Sequence, residues 1–271
     1  MRRLGLLLIV GLLALAGCDT APTQPAATPT PGPPTQTPLP SETPRPTATP
    51  GYRLGGGSLR LDEPYPAALL PDVPARFLFQ GDRLQTFGIT VTPQQPELDI
   101  RISLLDQNQT PQIVVDRGGP GAAETIPQFG LPVDGTYAVL AEIVAGSGDV
   151  VAELTRFAPA DRGGGGEIEL DASRNGEATG TFSAPDMVHA FGVPVRGGDV
   201  LVFEVAAEDS GVAPHFTLLD DNYNILGEYE AEAGGTAVSD DTYIPFDGDY
   251  TLLVRNASDG TGTYTVHVRS E

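Results

Sequence analysis

Carboxylate and amide side chains cluster in the predicted turns of the C-terminal half of the chain. Asp220, Asp221 and Asn222 form one turn, and Asp199 and Asp247 lie in two others. Successive turns alternate between the two ends of a sheet, so we expect this set to gather at one end. Oxygen ligands in a flexible turn suit calcium, and the set therefore predicts a calcium site. The alternative is a simple Asp-Asn hairpin turn, because both residues tolerate positive φ angles.

Histidines and glutamates are the other residues whose types could do chemistry. The three histidines, His189, His215 and His267, fall on separate predicted strands. His267 alternates with Thr265 and Arg269, a pattern typical of a solvent-exposed strand face. The spacing therefore favours structural histidines over a shared metal or catalytic site.

Glu228, Glu230 and Glu232 alternate along one predicted strand. Paired carboxylates of this kind could serve a glycosidase. A row of like charges is more typical of a sheet edge that resists aggregation, and we interpret it so. No catalytic motif of hydrolases is present, and the sequence predicts neither catalytic residues nor any cofactor besides calcium.

The only cysteine, Cys18, follows two arginines and an uncharged apolar run at residues 4–16. That pattern predicts a secretory signal. Residues 15–18 read Leu-Ala-Gly-Cys and resemble the bacterial lipoprotein signal, in which the cysteine thiol accepts diacylglycerol. The resemblance implies that residues 1–17 are removed and that lipid on Cys18 anchors the mature chain in a membrane. An ordinary cleaved signal is the alternative.

Residues 18–50 are rich in proline and threonine and hold few apolar side chains. A segment of this composition does not fold and favours extended polyproline II. We expect a disordered stalk that could hold the rest of the chain up to about 100 Å from the membrane.

The chain carries 36 acidic and 15 basic residues, a net charge of −21. Such a surface repels phosphate backbones, so nucleic acid is excluded as a partner. A single cysteine leaves no intramolecular disulfide, and an apolar core must hold the folded part together.

An internal repeat organises the rest of the sequence. Residues 102–108, ISLLDQN, return 114 positions later as residues 216–222, FTLLDDN. The repeat predicts two copies of one domain, residues 51–157 and 158–271, joined near the four glycines 163–166. We expect each copy to fold alone.

Short runs of β-branched and aromatic residues, separated by Gly, Pro, Asp and Asn, fill both copies. Leu201, Phe203 and Val205 occupy alternate positions in one such run, which predicts a strand with one buried face. The predicted fold class is all-β, with two tandem antiparallel β-sandwiches of jelly-roll or immunoglobulin-like kind after the disordered stalk.

Three segments of the second copy resemble the bacterial pre-peptidase C-terminal domain family: residues 198–205, 216–222 and 248–254. The first copy matches them more weakly around Gly81-Asp82, Ile102 to Asp106 and Gly135 to Tyr137. Members of the family commonly follow secreted hydrolases as non-catalytic modules, and some bind calcium or fibrous substrates. No hydrolase sequence stands ahead of the pair here, which departs from that arrangement.

Together these features predict a lipid-anchored, non-catalytic binding or adhesion module of the bacterial cell envelope, displayed outside the cytoplasm. Its expected partners are the membrane, through Cys18, and an extracellular polymer or envelope protein. Two alternatives stay open. One is a structural accessory lipoprotein of an envelope or secretion complex, and the other is a hydrolase with an unrecognised site.

Overall fold

The structure, a computed structural model, describes residues 53–271. The predicted signal peptide, Cys18 and the stalk lie outside the described residues. The described part is built from strands, which confirms the predicted all-β class. No helix in residues 53–271 is long and apolar enough to cross a membrane. The elements in chain order are β1 (Arg53–Leu54), β2 (Gly56–Ser58), β3 (Tyr65–Ala68), β4 (Ala75–Gly81), β5 (Thr86–Pro93), β6 (Asp99–Leu105), β7 (Pro111–Val115), β8 (Glu124–Gly130), β9 (Gly135–Ala145), β10 (Asp149–Phe157), a 3₁₀ turn (Pro159–Asp161), β11 (Gly166–Glu167), β12 (Gly176–Phe182), β13 (Val188–Val195), β14 (Val200–Ala207), β15 (Pro214–Leu219), β16 (Ile225–Glu230), β17 (Thr236–Val238), β18 (Thr242–Tyr243), β19 (Gly248–Asn256) and β20 (Gly262–Ser270).

The first sandwich packs a five-stranded sheet, in the order β2-β4-β9-β6-β7, on strands β1, β3, β10, β5 and β8 of a larger sheet. In β4, Ala75, Phe77 and Phe79 are buried and alternate with more exposed neighbours. This is the period of two expected for a strand with one face in a core. The ring of Phe79 packs on Phe87 of β5 and on Tyr137 of β9, with centroids 5.2 and 5.7 Å apart. Aromatic rings in this core therefore pack both along the five-stranded sheet and across to the larger sheet.

The second sandwich packs a sheet in the order β12-β20-β14-β17, with β18 beside β14, on strands β13, β19, β15 and β16. Leu201, Phe203 and Val205 of β14 are fully buried, as their alternation predicts. Phe182 and Tyr264 stack in the same core with ring centroids 4.7 Å apart. The alternating apolar residues of β14 therefore point into the space between the two sheets of the second sandwich.

The two sandwiches share one ten-stranded sheet, because β8 of the first lies beside β13 of the second. The two strands are parallel and bridge Phe129 to Val188. Their backbones approach so closely that a Cβ on Gly130 would lie 2.5 Å from the nitrogen of Ala190. Val188, Ala190 and Leu253 of the second sandwich belong to the apolar cluster of the first. Independent folding of each copy stays a prediction, and the copies pack against each other.

Glycines 163–166, expected at the joint between the copies, are closely packed. The nitrogen of Gly163 donates to Oε1 of Gln128 at 3.0 Å, and its carbonyl accepts from Thr181 at 2.7 Å. A Cβ on Gly164 would lie 2.6 Å from Nδ1 of His189. Glycine is needed at this point because the backbone passes directly over buried side chains.

Candidate functional site

A cleft of about 340 Å³ lies between the two sandwiches. The turn from β6 to β7 forms one wall, and the outer face of β15 and β19 forms the floor. The start of β16 closes the opposite side. Ligand sites occur preferentially at such domain boundaries. The cleft is lined by Asp106, Asn108, Thr110, Pro111, Gln112, Phe129, Val188, Thr217, Leu219, Tyr223, Ile225, Glu228, Leu253 and Arg255.

The apolar floor comes from strands that are buried on both faces. In β19, Leu252 and Val254 point into the second core, whereas Leu253 points outward and joins the cluster of the first sandwich. In β15, Leu218 likewise points into the second core, and Leu219 points outward to the cluster of the first sandwich. Outward-facing leucines are stable here because the first sandwich lies over them and removes them from water.

Two equivalent turns of the repeat flank the cleft. In the turns that begin at Asp106 and Asp220, Oδ1 of the aspartate accepts the main-chain N–H groups two and four positions further on, at 2.8 to 2.9 Å. The residue three positions on has a positive φ, 66° at Gln109 and 65° at Tyr223. The two copies of the sequence repeat therefore have the same turn geometry at this point.

Tyr223 connects these two turns across the cleft. Its hydroxyl donates to Oδ2 of Asp106 at 3.4 Å, and Nε2 of Gln112 donates to the same oxygen at 3.1 Å. Burial raises the pKa of Tyr223, and the charge of Asp106 adds to the effect. Asp106 is buried and both its oxygens already accept hydrogen bonds. Its carboxylate is therefore committed to holding the wall of the cleft.

The rim carries charges of both signs. Arg255 is exposed, and its Nη2 lies 3.1 Å from Nδ1 of His215. Burial, followed by the charge of Arg255, lowers the pKa of His215, while Glu228 and Glu230 act in the opposite direction. A neutral imidazole can accept a hydrogen bond from the guanidinium. The rim thus offers a cation and exposed carboxylates to a ligand.

The residues of the predicted calcium site lie in three adjoining turns at one end of the second sandwich. Oδ1 of Asp247 accepts from the nitrogen of Gly197, in the turn that also holds Asp199, at 2.8 Å. A Cβ on Gly248 would lie 3.3 Å from Oδ2 of Asp221. The structure therefore brings these turns together.

Most of their side-chain oxygens already have partners. Asp199 pairs with Arg174 at 2.8 Å. Asp220 holds its own turn, and Nδ2 of Asn222 donates to Oδ1 of Asp221 at 2.7 Å. Within residues 53–271, no three His, Cys, Asp or Glu side chains form a group that could hold a metal ion. Calcium binding by this set stays a prediction.

The histidines lie on β13, β15 and β20, separate strands as predicted. His189 is fully buried, and Nδ1 lies 2.5 Å from the hydroxyl of Tyr264. His267 is on the outer face of β20, with its ring 3.4 Å from Glu177. No two of the three share a site.

The row of glutamates lies at the edge of the ten-stranded sheet. Glu228 and Glu230 are exposed on β16, the last strand in that sheet, and Glu232 lies just beyond its end. The glutamates therefore lie at a sheet edge, as expected. The strand itself ends at Glu230, two residues before the alternation ends at Glu232.

The sequence reasoning missed Leu253, Leu219 and Arg255 as residues of a shared cleft. One signal was available: β19 contains Leu252 and Leu253 side by side, and adjacent large apolar residues in a strand indicate burial on both faces. Which element covers the second face could not be deduced from that pattern.

No family model matches this sequence, and no curated protein matches it. Among solved structures, the chain is similar to the pre-peptidase C-terminal domain of collagenase from Bacillus anthracis, with 19% identity and a TM-score of 0.32 over 39% of this chain and 94% of that one. It is also similar to the lysozyme inhibitor PliG of Aeromonas hydrophila, with 13% identity and a TM-score of 0.29 over 40% of this chain and 96% of that one. A third similarity is to the CBM22-1–CBM22-2 tandem of Paenibacillus barcinonensis Xyn10C, with 10% identity and a TM-score of 0.24 over 71% and 82%. These similarities assign no activity to the chain.

Proposed function

We propose that the chain is a lipid-anchored, non-catalytic binding module of the bacterial cell envelope, whose ligand occupies the cleft between the sandwiches. The observation that carries this proposal is the cleft at the boundary of the sandwiches, where exposed Ile225 and Pro111 lie with Arg255 and Glu228 on its rim. An apolar surface with a few converging polar groups is the usual character of a binding site.

A ligand that fits this cleft places an apolar group near Ile225 and Pro111, and polar groups near Glu228 and Arg255. An extracellular polymer and an exposed protein segment both meet that description. The net charge of −21 disfavours nucleic acid.

The non-catalytic part of the proposal is supported by Asp106. General acid–base catalysis needs a group that can reach the proton of a substrate. Asp106 is the buried carboxylate of the cleft, and its oxygens accept hydrogen bonds from the chain itself. We therefore propose that Asp106 holds the wall of the cleft and takes no part in catalysis.

The test is a photo-crosslinking amino acid at Thr217, which lines the cleft, with the same amino acid at Thr179 as control. Thr179 is exposed on β12, away from the cleft. In intact cells, we expect Thr217 and not Thr179 to form an adduct with one envelope protein or with polymer. Equal labelling from both positions, or none from Thr217, would contradict the proposal. A stable adduct with a component of a secretion complex would favour the structural accessory role.

Purified peptidoglycan provides the polymer arm of the test. If the ligand is this polymer, the chain should co-sediment with it, and Thr217→Trp, which fills the cleft, should abolish co-sedimentation. Thr179→Trp should bind as the original chain does.

A further inference from the structure

β7 is a short edge strand that begins with a proline and carries no charge. Among residues 53–271 it pairs with β6 alone, at one end of its five-stranded sheet. Its sequence, PQIVV, contains no charged residue, and Val114 is 53% exposed. Proteins commonly place charges on edge strands to prevent pairing with other chains. Glu228 and Glu230 do so on β16, whereas β7 leaves its outer main-chain groups open.

A groove follows the open side of β7. A second cavity of about 430 Å³ lies against Ile113 and Val114 and adjoins the interdomain cleft. The two cavities share Gln112, Val188 and Arg255 in their linings. We refer to these two adjoining cavities, between β7 and the outer face of the second sandwich, as the groove.

The exposed far side of the groove carries two carboxylates and one cation, Arg255, which lines both cavities and lies against His215. Glu228 lines the first cavity and Glu230 lines the second, and both side chains are exposed. They alternate along β16, so both lie on the same face of that strand. The spacing of two residues matches the period of an extended peptide.

We propose that an extended peptide segment of a partner protein, with basic side chains at alternate positions, adds to β7 as a further strand in this groove. The inference rests on the proposed function and names the ligand class of the same cleft. Strand addition gains affinity from main-chain hydrogen bonds and specificity from pockets for alternate side chains. Basic side chains on one face of the peptide meet Glu228 and Glu230.

Charge decides between this occupant and a second copy of the chain. Each molecule of the protein carries 36 acidic and 15 basic residues. Two molecules therefore repel each other. A cationic segment is attracted by the same field, and its association should weaken as salt is added. Glu228 and Glu230 outweigh Arg255 on the exposed far side of the groove, so its net charge favours a basic partner.

The experiment measures fluorescence anisotropy of labelled peptides with the full chain purified in detergent. The probe is a peptide of alternating arginine and valine, long enough to span β7. Two controls are the same peptide methylated on its main-chain nitrogens, which keeps the charge, and a peptide of alternating glutamate and valine. We expect the arginine–valine peptide to bind. Each control should bind at least about tenfold more weakly, because the methylated peptide has lost main-chain hydrogen bonds and the glutamate–valine peptide has lost the favourable charge.

Matched variants locate the site. Val114→Arg places a charge on the edge of β7 and should weaken binding of the arginine–valine peptide by about tenfold. Val144→Arg adds the same charge at a residue of β9 with similar exposure, 50%, and should have no such effect.

Equal binding of the methylated and unmethylated peptides would overturn strand addition, and so would equal effects of the two variants. Failure of every peptide to bind, with the adduct at Thr217 still formed, would overturn this inference and leave the proposed function standing. Absence of that adduct would count against the proposed function itself.

Discussion

Arg83 of the first sandwich donates from Nη2 to the main-chain oxygen of Tyr250 in the second, at 2.9 Å. Its Nε donates to Oγ1 of Thr251 at 3.1 Å, and its Nη1 lies 3.3 Å from Oε1 of Glu167. A Cβ at Gly192 would lie 2.6 Å from Nη2, so a larger residue there would displace the guanidinium. One arginine therefore ties the first sandwich to β19 and β11 of the second.

Arg83→Ala should lower the free energy of unfolding by about 2 kcal/mol, because it leaves partly buried acceptors without a donor. The matched control is Arg101→Ala, which breaks an exposed pair with Glu142 inside the first sandwich. Exposed pairs contribute about 0 to 1 kcal/mol. Urea unfolding of both variants measures the difference, and equal losses would show that Arg83 has no special role between the sandwiches.

The division into two domains predicts a second outcome. Residues 158–271 alone would expose Val188, Leu219 and Leu253, which the first sandwich covers in the full chain. We expect this half to fold, to melt at a lower temperature than the full chain, and to bind a hydrophobic dye. Calorimetry of the full chain should then show one transition. Two transitions at the melting temperatures of the separate halves would argue against coupling.

His189 predicts a loss of stability in acid. Its ring stacks on Phe182 with centroids 4.8 Å apart, and its Nε2 has no hydrogen-bond partner among the described residues. Burial lowers the pKa of His189 from 6.5 to about 4. The unfolded chain therefore binds this proton first as the pH falls.

Stability should be unaffected by His189 above pH 6.5 and should fall between pH 6.5 and 4, by up to about 1.4 kcal/mol per pH unit. His189→Phe should reduce this slope, measured by urea unfolding at a series of pH values, and His215, whose pKa burial also lowers, contributes to the slope that remains. His267→Gln alters an exposed histidine and should keep the slope. An unchanged slope in His189→Phe would assign the effect to other groups.

Calcium should raise the melting temperature of the second sandwich relative to chelator. At a dissociation constant of about 10⁻⁴ M, millimolar calcium adds about 1.4 kcal/mol, or several degrees. Asp220→Asn combined with Asp221→Asn should abolish the increase. Magnesium should do less, because it needs a tighter octahedron.

Asp220 also holds its turn, so a control for turn stability is needed. Burial raises the pKa of Asp220, but hydrogen bonds from Asn224 and Asn222 outweigh it and the net pKa is lowered. Asp171 accepts the same pattern of main-chain N–H groups in another turn. Asp171→Asn should lower the melting temperature and keep the calcium response. Equal calcium shifts in the original chain and the double variant would point to general charge screening.

Cys18→Ser tests the anchor. Without the thiol no lipid can be attached, so we expect the protein in the medium or as unprocessed precursor, by fractionation and immunoblotting. One acyl chain holds a protein weakly, whereas two or more hold it firmly. Unchanged membrane fractionation of the variant would contradict the lipoprotein interpretation.

Local patterns in the sequence determined the strands and the turns. Leu201, Phe203 and Val205 alternate and are buried, because a strand turns successive side chains to opposite faces. The turns at Asp106 and Asp220 follow from an aspartate that holds its own backbone and a residue that accepts positive φ. Fold class could be predicted because it needs this local information alone.

Only the tertiary structure decided which strands meet. The pairing of β8 with β13 joins residues far apart in the sequence, and no local propensity specifies it. That pairing makes one sheet of two sandwiches and turns Leu253 from a surface residue into the floor of a cleft. The candidate site was therefore invisible in the sequence, because its walls come from different copies of the repeat and only their packing brings them together.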